Sequence, residues 1–207
     1  MKKIIMTVLA LVPLTLWAQD NTWENADEDE LKTEETQAKP KVDAKYLKGA
    51  VPMVDGRVVF SKTIEAPGKS ASEVYDIMQK YMERLTKTTN QINSKIVLAD
   101  KDKHELGASY EEWLVFKKSA LSLDRTRFYY LLQAQCQDGQ AVVTLTRIHY
   151  LYEEERAPQR IKAEDWITDQ EAVNKKNTKL LPMSGKFRRK TIDRKDFLFN
   201  KFESLLK

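Results

Sequence analysis

A chain of 207 residues, 42% of them hydrophobic, is long enough for one domain with tails and can fill a core. Its mean hydropathy of -0.57 excludes a polytopic membrane protein. Basic and acidic residues number 35 and 31, a net charge of +4 that is modest for a nucleic-acid binder.

Residues 1–18 have the pattern of a secretory signal peptide. Lys2 and Lys3 form a positive start, residues 4–17 an apolar run too short to span a bilayer comfortably, and Ala18 a small residue at the cleavage point. No Cys follows the run, so the usual lipoprotein anchor is missing, and no later segment is apolar enough to span. The expectation is a soluble exported protein, periplasmic or extracellular. The one cysteine, Cys136, allows no intramolecular disulfide and is expected as a small buried hydrophobe.

Residues 19–50 read as a charged linker, too poor in apolar residues to order. Residues 24–35 hold seven acids and one Lys. The linker carries a net −4 and residues 51–207 a net +6, so the tail is expected to dock transiently on the body.

Residues 51–56 are a lead-in with a turn at Asp55-Gly56. Residues 57–66 read as a strand with Val58, Phe60 and Ile64 on one face, ended by Pro67-Gly68. Ser70-x-x-Glu73 is a capping box, in which each side chain satisfies an orphan amide of the helix start. The helix runs to about Thr86, and its stripe Val74, Ile77, Met78, Tyr81 and Leu85 faces the core. Short and long strands follow at 94–99 and 106–118. The second has apolar residues on both faces, Tyr110, Leu114 and Phe116 against Trp113 and Val115.

Residues 123–152 form a long hairpin turned at Asp138-Gly139, a pair suited to a type I′ turn with positive φ at both positions. That turn sets Gln137 opposite Gln140, Cys136 opposite Ala141, Ala134 opposite Val143 and Leu132 opposite Leu145. Continued, it sets Tyr130 opposite Arg147 and Phe128 opposite His149 on the core side. The other face then gathers Arg125, Arg127, Tyr129, Ile148, Tyr150 and Tyr152. The plain reading of that face is a sheet surface with Arg stems lying over rings. The functional reading is a binding platform.

Residues 153–162, charged and carrying Pro158, read as a loop. Residues 163–167 are a helical turn that lays Trp166 on the body. Thr168-x-x-Glu171 is a second capping box, for a short helix toward Asn174. Residues 175–185 are irregular. The basic run at 186–190 leads into a C-terminal helix capped by Asp193, with Leu198, Phe202 and Leu205 buried and Phe199 and Leu206 widening the stripe. Lys186, Arg188, Arg189 and Lys190 at that helix start are a candidate partner or anion site, because helix-start amides and guanidinium forks favour carboxylate or phosphate. A solvated basic face is the plain alternative.

Strand, helix, four strands, helix without βαβ alternation predicts one α+β domain over 51–207, with helices packed on one face of an antiparallel sheet. PMVDGRVVFSKTIEAPGKSASEVYD at 52–76, AEDWIT at 163–168 and GKFRRKTIDRKDFLFNKFESLL at 185–206 resemble a bacterial family of exported proteins. Its domain is known only as a domain of unknown function with a TBP-like fold. The resemblance covers 51–206 and implies a curved antiparallel sheet with helices against it. It implies no activity and no catalytic residues, and a TBP-like fold does not by itself imply DNA binding.

No catalytic constellation emerges. His104, His149 and Cys136 fall on separate segments without metal-ligand spacing. Glu111 and Glu112 point to opposite faces of one strand. There is no nucleophile elbow and no phosphate loop, and nothing calls for a cofactor. The expected function is a non-enzymatic module that binds a partner protein or envelope component, but not nucleic acid, through its sheet face or basic segment. The alternative is a carrier of a small apolar ligand, in a pocket between sheet and helix lined by Tyr129, Ile148 and Tyr150.

Overall fold

The computed structural model describes residues 44–119 and 122–207. The expected signal peptide and residues 19–43 of the expected linker lie outside the described residues. In chain order the elements are β1 (Met53–Val54), β2 (Arg57–Val58), β3 (Phe60–Glu65), α1 (Ala71–Leu85), β4 (Lys95–Asp100), β5 (Glu105–Ser119), β6 (Ser122–Gln137), β7 (Gln140–Tyr152), β8 (Gln159–Lys162), α2 (Asp169–Ala172) and α3 (Pro182–Leu206). One antiparallel sheet runs β3-β7-β6-β5-β4, and β8 joins β7 beyond the end of β3.

The expected α+β order is present. Alternation along the strands sends Leu106, Ala108, Tyr110, Leu132, Ala134, Val143 and Leu145 to one face, all buried. Against it lie Val74, Met78 and Met82 of α1 and Phe187, Leu198, Phe202 and Leu206 of α3, in a single core. Tyr81 and Phe202 meet edge to face at 5.1 Å, joining the two helices. The α1 capping box forms in both halves, Ser70 Oγ accepting from Glu73 N–H and Glu73 accepting from Ser70 N–H.

Four local expectations outside the long hairpin fail. First, residues 44–50 are not loose linker. Arg188 binds the carbonyls of Tyr46 and Leu47, and Gly49 N–H donates to Asp169. Second, residues 159–162 are strand β8, because β7 outruns β3 and offers an open edge. Third, Thr168 makes no side-chain cap on α2, whose Asp169 is drawn to Arg188 instead. Fourth, the C-terminal helix starts at Pro182, not near Asp193. Leu181 is its N-cap and Pro182 has the fixed φ that suits a first helical position. Asp193 sits in mid-helix and accepts from Tyr46 Oη at 2.7 Å.

Gly185 is required at that helix start. A Cβ there would lie 2.6 Å from the Leu180 Cβ, so only glycine lets the preceding loop fold back over the first turn.

The long hairpin keeps its expected register from Gln137↔Gln140 to Leu132↔Leu145. Its turn is not type I′. Gly139 alone has positive φ, at 73°, while Asp138 is held by its side chain to the N–H of Ala71 at the start of α1. Beyond Leu131↔Thr146 the register slips by one, so that Tyr129 pairs with His149 and Phe128 with Tyr150. The slip is a β-bulge at Arg147, whose φ of 54° admits one extra residue on β7. It sends Ile148 and Tyr150 into the core and His149 to the outer face, the reverse of the expected alternation.

Candidate functional site

The bulge splits the expected platform. Arg125, Arg127 and Tyr129 remain on the outer face, but Ile148 and Tyr150 are 1% and 0% exposed beneath the helices. Tyr150 Oη bonds Thr191 Oγ1 at 2.7 Å, and its ring meets Phe187. Tyr152 half-buries its ring against Phe116 and Phe187. Of the positions assigned to a ligand pocket, Ile148 and Tyr150 are therefore taken up by packing and Tyr129 lies on the opposite face of the sheet.

On the outer face the cations are already engaged. The Arg125 guanidinium lies 3.6 Å from the centre of the Trp113 ring. Arg127 pairs with Glu111 at 2.8 Å and with Glu154, and Tyr129 Oη donates to the same Glu111 oxygen at 3.1 Å. His149 stacks on Tyr129 with ring centres 4.5 Å apart. Beside them an open, polar groove of about 480 Å³ runs between Arg125 and the 153–156 turn, with acids and bases intermixed. This is Arg packing over aromatic rings, with charges paired within the surface.

The basic run 186–190 is divided by helical geometry. Arg188 points inward and is fully buried. Its guanidinium donates to the carbonyls of Tyr46, Leu47 and Ile167 and to Asp169, all at 2.6–2.7 Å. Burial lowers its pKa and Asp169 opposes that shift. Arg188 is a structural lock between the residues before β1, the 163–169 turn and α3. It cannot also reach a ligand.

Lys186, Arg189 and Lys190 take the opposite direction. They rim an open groove of about 300 Å³ whose floor is Phe116, Leu180, Leu181, Pro182 and Gly185. Leu181 is 37% and Met183 53% exposed, so apolar surface continues past the rim. Lys186 Nζ bonds Asp124 and Tyr152 at 2.7 and 2.9 Å. Burial would lower its pKa, and those two bonds outweigh burial to leave it raised. Arg189 is exposed, with its guanidinium 5.2 Å from the Tyr46 ring. Residues 174–190 contain seven basic residues and no acid. The apolar floor was not foreseen, because 175–185 read as irregular. Pro182 as a first helical residue was the signal that could have found it.

Among the described residues, no group of three or more His, Cys, Asp or Glu is placed to hold a metal ion. No helix among them is long and apolar enough to cross a membrane.

The family model for a domain of unknown function (DUF4468) with TBP-like fold matches residues 60–151, from β3 to the end of the long hairpin. A DUF4468 family protein from Bacteroides ovatus ATCC 8483 is 45% identical, with 81% of this chain and 96% of that one covered and a TM-score of 0.74. The chain belongs to the DUF4468 family. A TBP-like protein from Parabacteroides distasonis ATCC 8503, 20% identical, covers 75% of this chain and 96% of its own with a TM-score of 0.61, and it shows the fold alone. Comparison with curated proteins returns no match. The groove floor at Leu180–Gly185 and its basic rim lie outside the segment matched by the DUF4468 model.

Proposed function

We propose that this DUF4468 chain is a non-enzymatic module, exported to the bacterial cell envelope, that holds an acidic polypeptide segment of a partner protein in the groove at the start of α3. The observation behind this reading is the pairing of an apolar floor with a rim of Arg189 and Lys190, beside a Lys186 that is already paired with Asp124. Ammonium and guanidinium groups favour carboxylates, and the exposed Leu181 and Met183 add apolar contact that a bare anion cannot use. The groove opens to solvent, which suits a chain laid across it rather than an enclosed small molecule. Export rests on Lys2, Lys3, the apolar run 4–17 and Ala18.

The test is fluorescence anisotropy on the full chain. The probes are labelled peptides of equal apolar content whose charged positions are all Glu, all Gln or all Lys. The Glu peptide should bind best, weaken with salt, and lose at least tenfold in affinity to the Arg189→Glu, Leu181→Ser variant. Equal binding by the Glu and Gln peptides would sink the proposal.

A further inference from the structure

Resting on the groove reading above, we infer that the chain's own acidic run, residues 24–35, occupies the groove until a partner displaces it.

Three observations converge. The first is where the chain enters. The first described residues, Ala44–Tyr46, form a short 3-10 turn beside the groove. Arg188 Nε holds the Tyr46 carbonyl at 2.7 Å, and Arg189, which rims the groove, covers the Tyr46 ring at 5.2 Å. Lys45 is anchored to Asp193 of α3 at 2.9 Å. The preceding residues therefore start within a few side chains of the rim.

The second is reach. Glu35 precedes Ala44 by nine residues, a span of up to about 30 Å at roughly 3.3 Å per residue. The third is complementarity. Residues 24–35 carry seven acids against one Lys, and residues 174–190 carry, besides the buried Arg188, six bases against no acid. Trp23 and Leu31 flank or interrupt the acids and supply apolar groups for the Phe116, Leu181 and Met183 surface.

A tether of this length holds the run at an effective concentration on the order of millimolar. If the run binds the groove with a dissociation constant of about 0.1 mM, a competing peptide is weakened about tenfold. The acidic run then sets a threshold, so that only a partner segment of higher affinity enters. Because Arg189 at the rim is exposed to solvent, salt lowers the threshold along with the affinity.

The experiment compares the full chain with a neutralised full chain, in which Glu24, Asp27, Glu28, Asp29, Glu30, Glu34 and Glu35 become the corresponding amides. The probe is a labelled synthetic peptide copying residues 23–35, titrated by anisotropy at low salt. The expected result is about tenfold tighter binding to the neutralised chain, with the gain abolished by Arg189→Glu. Equal binding to both chains overturns self-occupancy and leaves the groove reading standing. A gain that survives Arg189→Glu places the run elsewhere on the body and also overturns it. No binding to either chain removes the groove reading and this inference together.

Discussion

Glu112 of β5 and Arg194 of α3 form a two-point ion pair inside the core, with Nε and Nη2 each 2.7 Å from a carboxylate oxygen and neither side chain more than 2% exposed. Gln91 Nε2 donates a further bond to Glu112 at 2.6 Å, and the pair pins the C-terminal helix to the middle of β5. Glu112 shares the helix-facing side of β5 with Tyr110 and Leu114, so the charge cannot escape to water.

Arg194→Met should therefore cost about 3–5 kcal/mol, because it leaves a carboxylate buried without its cation. Adding Glu112→Met should restore most of that loss, since apolar replacement of a buried pair is often neutral. Urea unfolding of the two variants checks it. A double variant as unstable as the single one would mean the pair contributes more than mutual neutralisation.

The Arg188 lock predicts a non-conservative Arg-to-Lys change. Four acceptors surround one planar guanidinium, and an ammonium reaches at most some of them. Arg188→Lys should cost about 3 kcal/mol and should speed tryptic cutting at Lys45 and Lys48, which the lock holds against the body. Unchanged cleavage rates would show that residues 44–50 are held by other contacts.

The bulge rests on one residue in the left-handed region. Arg147→Gly should be neutral or stabilise by about 1 kcal/mol, because glycine adopts φ of 54° without steric penalty. Arg147→Val should destabilise by about 1–2 kcal/mol. Thermal unfolding that ranks Val above Gly would contradict the bulge assignment.

Burial pushes the Cys136 thiol up to about 12. In the native protein it should alkylate far more slowly with iodoacetamide at pH 8 than in urea, because the thiolate is the nucleophile. Equal rates would show that the end of the hairpin near its turn opens readily.

Glu73 gives a dependence on acid. Hydrogen bonds from the Ser70 backbone and hydroxyl hold its carboxyl below the usual range. A depressed folded pKa contributes stability that is present above the unfolded value, near 4.3, and is lost as pH falls through the folded one. Glu73→Gln should flatten the decline in melting temperature on acidification below about pH 5. A curve parallel to wild type would assign that decline to other carboxylates.

Much of the fold was legible in local pattern. The Ser70/Glu73 box and the 3.6-residue stripe locate α1, period-two alternation locates β5 to β7, and Asp138-Gly139 locates the hairpin turn, because each signal acts over a few residues. The motif resemblance anticipated the family. Of the candidate site, the sequence located the cations Lys186, Arg189 and Lys190 but not the apolar floor they surround.

What only the tertiary structure decided was side and depth. Ile148 and Tyr150 lie in the core because one residue, Arg147, bulges, and no local signal marks which residue of an alternating strand will do so. Arg188 is buried while its neighbour Arg189 is exposed because α3 begins eleven residues before Asp193, at Pro182, which fixes the helical phase of the basic run. Glu112 and Arg194 lie 82 positions apart and become partners only when β5 and α3 pack. Sequence determines the periodicities. Which face of each element meets the core depends on long-range packing, where a single-residue slip reverses the outcome.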